Sequence, residues 1–190
     1  MDARELMESR ASVPPKLLGD PAPEGETLDA ILRAATRAPD HGRLRPWRFI
    51  MVRGEAREKL GEVYAAALLK RDPDATEALL QVERERPLRA PLLIVCVARA
   101  KQHPKIPEIE QILSAGSATH ALVIAAQAYG FGAMWTTGPN AYDANVHTAL
   151  GLEQGQRIVG FVNIGTPTGE VPPLKRPDPA SFVEEWTGPA

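Results

Sequence analysis

The sequence predicts an α+β protein, a sheet packed against helices, rather than a doubly wound alternation of strand and helix. Three observations predict it. Four segments carry strand patterning, 47–52, 92–98, 131–136 and 157–165, and they are shorter than the helical segments around them. Two consecutive helical segments separate the first pair of strands, which breaks any regular βαβ order. No GxGxxG follows a strand, and the GFG at 130–132 enters a strand instead of opening a helix, which disfavours a Rossmann site.

The most distinctive stretch runs from Glu110 to Gly138. Between Gln111 and Tyr142 there is no Asp, Glu, Lys or Arg, in a chain in which 24% of residues are charged. As a helix ending near Tyr129 it is apolar or small almost all round, which predicts burial on every side. Ser114, Ala118, Ala121, Ala125 and Ala128 form a stripe of small residues at helical spacing, open to close approach by another backbone. Gly130 is the expected C-cap. Phe131 to Trp135 then reads as a buried strand, and Thr136-Thr137-Gly138 as a loop offering hydroxyls and backbone N–H groups. Ser114, Gly116, Ser117, Thr119, His120 and Gln127 interrupt the apolar run too often for a transmembrane span.

Length and composition set the outer bounds. A chain of 190 residues is expected to form one domain, 1–190, with a substantial core. A net charge of −2 and a pI near 6.1 carry no global footprint for nucleic acid or an anionic membrane, so any anionic ligand must be held by local cations. The single cysteine, Cys96, lies in an apolar run and has no internal disulfide partner, which fits a reducing, cytoplasmic compartment. The N-terminus is charged from its second residue and has no apolar signal region. No internal repeat and no zinc-type ligand spacing is present, and neither is a GxSxG, HExxH or Walker pattern.

In chain order, Asp2 to Ser9 reads as a short amphipathic helix with Leu6 and Met7 inward, running into Arg10-Ala11-Ser12-Val13 and stopped by Pro14-Pro15. Arg10 there either complements the helix dipole or, with Ser12, holds a phosphate. A second helix is expected over Thr27 to Ala38, with Thr27 as N-cap and Leu28, Ile31, Leu32 and Ala35 inward. The loop APDHGRLRPW, Ala38 to Trp47, gathers two arginines and a histidine beside an aromatic. Trp47 to Val52 is a strand. Glu55 to Lys70 is an amphipathic helix through Leu60, Val63, Tyr64, Ala67 and Leu68.

A more polar helix follows from about Asp74 to Arg86; its alternating Glu83, Arg84, Glu85 and Arg86 predict a solvated face. Leu92 to Ala98 is a buried strand. His103, in the proline-stiffened loop 101–108, has no partner at ligand spacing and is expected at the surface. A short helix from Tyr142 to Leu150 precedes the strand Arg157 to Gly165. The proline-rich tail carries Phe182, Val183 and Trp186, which suggests packing against something outside its own fold, such as a second subunit.

Four segments now combine: Arg10-Ala11-Ser12, APDHGRLRPWRF at 38–49, GFGAMWTTG at 130–138 and IVGFVNIGTP at 158–167. In this order they resemble the FMN-dependent nitroreductases, and within them the YdjA-like subgroup of NAD(P)H nitroreductases. The resemblance spans nearly the whole chain. It implies a three-layer α/β/α sandwich with a central, mostly antiparallel sheet. It also implies an intertwined homodimer holding FMN at the subunit interface.

The resemblance implies roles residue by residue. Arg10 and Ser12 match the element that holds the FMN phosphate and ribityl end, with Ala11 where a second Arg is usual. Arg37 and His41 match positions that reach the flavin from the other subunit. Trp135, Thr136 and Thr137 match the strand end that borders the isoalloxazine ring, Thr136 replacing an Arg. Lys175 and Arg176 resemble basic residues that approach the phosphate, with Lys16 as a further cation. Arg45 stands at the usual Gln of a Q-P-W element. The implied activity is hydride transfer from NAD(P)H through flavin N5 to a nitroaromatic, quinone or similar acceptor in ping-pong fashion. No side chain is assigned a catalytic role, because the flavin carries the chemistry. The departures at Ala11, Arg45 and Thr136 leave a second possibility, a dimeric flavin-binding storage or sensing protein without turnover.

Overall fold

The computed structural model describes residues 2–171 and 175–189. Its helices are α1 (Ala3–Ser9), α2 (Gly25–Ala35), α3 (Glu55–Arg71), α4 (Glu77–Glu85), α5 (Glu108–Ala128) and α6 (Ala144–Ala149). Its strands are β1 (Leu18–Gly19), β2 (Trp47–Arg53), β3 (Leu92–Ala98), β4 (Gly132–Thr136) and β5 (Arg157–Pro167).

Every strand pairing is antiparallel. β3 lies between β2 and β5, β4 pairs the other side of β5, and the two-residue β1 pairs the end of β5 at Thr166 and Pro167. The sheet has helices on both faces, and β3 explains why. All seven of its residues are buried, so its sequence is continuously apolar instead of alternating. Strand period 2 then divides it. Leu92, Ile94 and Cys96 pack with Leu28 and Ile31 of α2 and Leu122 and Ala126 of α5. Leu93, Val95 and Val97 pack with Leu60 and Tyr64 of α3 and Val146 of α6. The result is the α/β/α sandwich. Among the described residues no helix is long and apolar enough to cross a membrane.

Several expectations are corrected. α2 starts at Gly25, which has a φ of 51°, so Thr27 lies inside the first turn and the N-cap is Glu24. The same helix ends at Ala35, before Pro39; turn bonds from Arg37 N to Ala34 O and Ala38 N to Ala35 O close it. α1 buries none of its residues, and Met7 is exposed because α1 lies on the surface beside α5.

α5 is not covered all round within one chain. Ile109 and Leu113 are 58% and 62% exposed, and Ser117, His120 and Ala128 are exposed with them. Part of its small-residue stripe is used inside the chain. Ser114 Oγ donates to Pro39 O at 2.6 Å, Ala118 and Ala125 are buried, and the element that approaches closely is α2. In the tail, Phe182, Val183 and Trp186 are exposed, Trp186 at 82%.

Candidate functional site

The N-terminal segment crosses the sheet edge where β4 begins. Val13 N donates to Ala133 O at 3.0 Å, and the crossing needs a glycine, since a Cβ on Gly132 would lie 2.7 Å from Leu18 Cδ2 and 2.9 Å from Val13 Cγ2. The crossing carries Arg10 and Ser12 to one side, where they line a cavity of about 380 Å³ with His120, Val123, Trp135 and Thr137. Ala11 faces a neighbouring cleft of about 420 Å³ that Arg176 also lines. Arg176 donates from Nη2 to the carbonyl oxygen of Arg10, which joins the two ends of the chain. Lys175 and Lys16 are exposed.

Trp135 is held by its partner strand. The indole N–H donates to Val159 O at 3.2 Å. A Cβ on Gly160 would lie 1.9 Å from Trp135 Nε1, so the ring occupies space that only glycine leaves. Strand alternation sends Thr136 to the opposite face. There its hydroxyl donates to Phe161 O at 3.2 Å and accepts from Asn163 Nδ2 at 3.4 Å. Thr137, exposed at the strand end, lines the cavities on both sides.

The second of these is a pocket of about 190 Å³ on the α3 side, between Thr136–Asn140, Pro15 and the end of α4. Glu83, expected on a solvated face, is 8% exposed and accepts hydrogen bonds from Arg86 Nε at 2.6 Å and Asn140 Nδ2 at 2.7 Å. α4 presents it inward because Leu80 and Glu83 are one helical turn apart, so the charge alternation did not mark which face was solvated. Arg71 pairs with Asp143 and with Asn140 Oδ1, 3.0 Å away. Burial disfavours the Asp143 carboxylate, but the Arg71 bond and those from Asn145 and Val146 outweigh it and hold the group below its ordinary pKa. Tyr64 Oη is, among the described residues, the one buried side-chain N or O atom without a hydrogen-bond partner. Burial, reinforced by the nearby Glu83 carboxylate, pushes its pKa far above the usual phenol value, so it stays a neutral donor. Tyr64, Glu83, Arg86, Asn140 and Asn163 were not among the expected site residues; their signal is three-dimensional.

Arg37 and His41 are not brought to this place. His41 Nδ1 is 2.7 Å from Glu110 Oε2, and Pro39 O meets Ser114, so the loop sits at the N-terminal half of α5. Val123, beside Arg10, is thirteen residues further along, about 20 Å at ~1.5 Å per residue. Arg45, held at φ 49° with its N–H on Asp40 Oδ2 at 2.7 Å, belongs to the same distant loop.

Two cavities thus flank the end of β4 on opposite faces of the sheet, one with the Arg10 guanidinium and Ser12 hydroxyl, the other with the unpartnered Tyr64 hydroxyl, and Thr137 lines both. The nitroreductase family model matches residues 7–166. The chain is 40% identical over 184 residues to the Escherichia coli protein named "Putative NAD(P)H nitroreductase YdjA", covering 96% of this chain and 98% of that one. A crystal structure of a nitroreductase-like family protein from Bacillus cereus superposes with a TM-score of 0.84 at 25% identity, covering 99% and 97% of the two chains. A Bacteroides fragilis nitroreductase with bound FMN shares the fold at a TM-score of 0.72 and 20% identity, covering 96% and 98%. The chain belongs to the nitroreductase family.

Proposed function

We propose that the protein is an FMN-dependent oxidoreductase that takes hydride from NAD(P)H and passes it to a nitroaromatic, quinone or similar acceptor. The observation that carries this is the convergence of Arg10, Ser12, Trp135 and Thr137, from segments far apart in the sequence, on one cavity. The residues fit the cofactor. Its phosphate, with about two negative charges, would be held by the Arg10 guanidinium and the Ser12 hydroxyl, and Arg176 braces Arg10 from the backbone side. Trp135 and Thr137 would border the ring, with Thr136, turned to the opposite face, completing the strand end. The neutral Tyr64, whose buried hydroxyl has no partner, lines the pocket on the opposite face of β4. FMN supplies the hydride chemistry when bound, and the chain binds, orients and shields it.

Ala11 lends only its backbone, and Lys175 adds long-range positive potential at the phosphate end. Arg37 and His41, about 20 Å away along α5, complete the site from a second copy. That arrangement agrees with the exposed Ile109 and Leu113 stripe and with the exposed Trp186 of the tail. Residues 1–190 act as one FMN-binding domain in a cytoplasmic homodimer. Absorbance of the purified protein and stopped-flow reduction by NADH and NADPH test this. A flavin spectrum that bleaches on donor and returns on adding a quinone or nitroaromatic is expected. A colourless protein that takes up no FMN overturns it.

A further inference from the structure

At the end of the sheet away from Arg10, three loops meet: 38–47, 99–107 and the turn 151–156. Arg99 N donates to Pro46 O at 2.9 Å, and a Cβ on Gly42 would touch Ile106 Cδ1 at 2.4 Å. Two adjoining clefts lie over this junction, of about 820 and 410 Å³, with Ala100, Lys101 and Gln154 common to both walls. Their charges are unevenly matched. Glu108 is engaged by Arg157 at 2.9 Å, Glu153 accepts from Gln156 at 3.1 Å, and Arg48 donates to Gly151 O at 2.8 Å. Arg99 and Lys101 are left, both exposed, with no side-chain partner among the described residues.

The backbone that presents them is held from beneath. Gln111, 3% exposed, accepts from Lys101 N at 2.9 Å and donates to Lys101 O at 2.8 Å and to Ile106 O at 3.4 Å. A buried side chain that satisfies both backbone groups of Lys101 fixes the loop before any ligand arrives, which lowers the ordering entropy of binding. Arg48, Arg99 and Lys101 against the Glu153 carboxylate leave the smaller cleft with a net positive lining, which matches a phosphate dianion.

We propose that this cleft binds the adenosine end of the nicotinamide donor, with Arg99 and Lys101 receiving the ribose 2′-phosphate, so that NADPH is favoured over NADH. This rests on the proposed use of NAD(P)H. The loop 38–47, which meets the cleft residues Arg99 at Pro46 O and Ile106 at Gly42, also carries His41, and Arg37 directly precedes it. The cleft would therefore lie next to the partner's flavin, where the nicotinamide end is needed.

The test is equilibrium titration of the full chain with adenosine 2′,5′-bisphosphate and with adenosine 5′-phosphate, for the wild type, Arg99→Ala, Lys101→Ala and the double variant. Both side chains are exposed, so the variants fold. The bisphosphate is expected to bind roughly tenfold more tightly than the monophosphate. Each single substitution should lose a large part of that margin and the double variant all of it, as befits charge-assisted hydrogen bonds. Flavin-loaded protein should show the same loss in its KM for NADPH and none for NADH. Equal affinity for the two nucleotides, or a double variant with the wild-type margin, overturns the assignment. Failure to take up FMN would instead overturn the flavin assignment, and the nucleotide titration would still read the cleft by itself.

Discussion

Trp135 and Gly160 occupy one another's space: the indole N–H bonds Val159 O across the strand pair, and its Nε1 lies 1.9 Å from where a Gly160 Cβ would be. A side chain at position 160 therefore moves the ring that walls the Arg10 cavity. The same Cβ would also lie 2.9 Å from Thr136 O, which is backbone and cannot swing aside. Gly160→Ala is expected to destabilise the protein by about 1–3 kcal/mol through overpacking. Urea unfolding followed by tryptophan fluorescence measures it, and an unchanged midpoint would show that the indole has room to move.

Arg10 is the cation that lines the cavity itself. Arg10→Ala is expected to weaken FMN binding by roughly tenfold or more, since a hydrogen bond to a charged group contributes about 1.5–3 kcal/mol. Fluorescence titration of FMN into stripped protein reads the affinity, with sedimentation confirming that assembly is unaltered. Wild-type affinity would remove Arg10 from the phosphate site.

Leu113 stands on the uncovered stripe of α5 with Ile109. A charge placed there leaves the single chain's core untouched but cannot be buried between two copies without a heavy desolvation penalty. Leu113→Glu is expected to sediment as a folded monomer with little bound flavin, because Arg37 and His41 of a second copy no longer reach the site. A flavin-loaded dimer in this variant would place the interface elsewhere.

Asp143 caps α6 through the N–H groups of Asn145 and Val146 and pairs with Arg71. Its folded pKa is depressed, so its stabilisation is present above the ordinary carboxylate range near pH 4 and is lost as pH falls through the folded value. Asp143→Asn keeps a capping side chain but leaves Arg71 without its anion. It is expected to cost about 3 kcal/mol at pH 7, as for a broken buried pair, and progressively less as pH drops below 4. Guanidinium melts at pH 7 and pH 3 check the sign; a deficit that grows in acid would refute it.

How far the sequence was legible depends on how local each cause is. β3 runs over the predicted residues 92–98 because an unbroken apolar run between Pro91 and Arg99 permits little else. β2 and β5 extend their predicted ranges by one and two residues. α5 begins at Glu108 and ends at Ala128, with Gly130 at φ 85° after it. The miss at Thr27 has a local cause too, since Gly25 adopts a left-handed φ that starts α2 early. Glu83 is different. Nothing in the run of charges from Glu83 to Arg86 distinguishes the carboxylate that Asn140, 57 positions away, will bury.

What the amino-acid order by itself determined was the periodicity of the elements, the uncharged spine and the four segments that mark the family, because these depend on neighbours within a few positions. The tertiary structure alone decided which side of each element met which neighbour. It turned the alanine stripe toward α2, left Ile109 and Leu113 uncovered, put Trp135 and Thr136 on opposite faces of one sheet edge and trapped Tyr64 Oη without a partner. The reason is physical: packing and hydrogen bonding act between residues brought together from distant parts of the chain, and a pattern read along the chain carries no record of who will be across the gap.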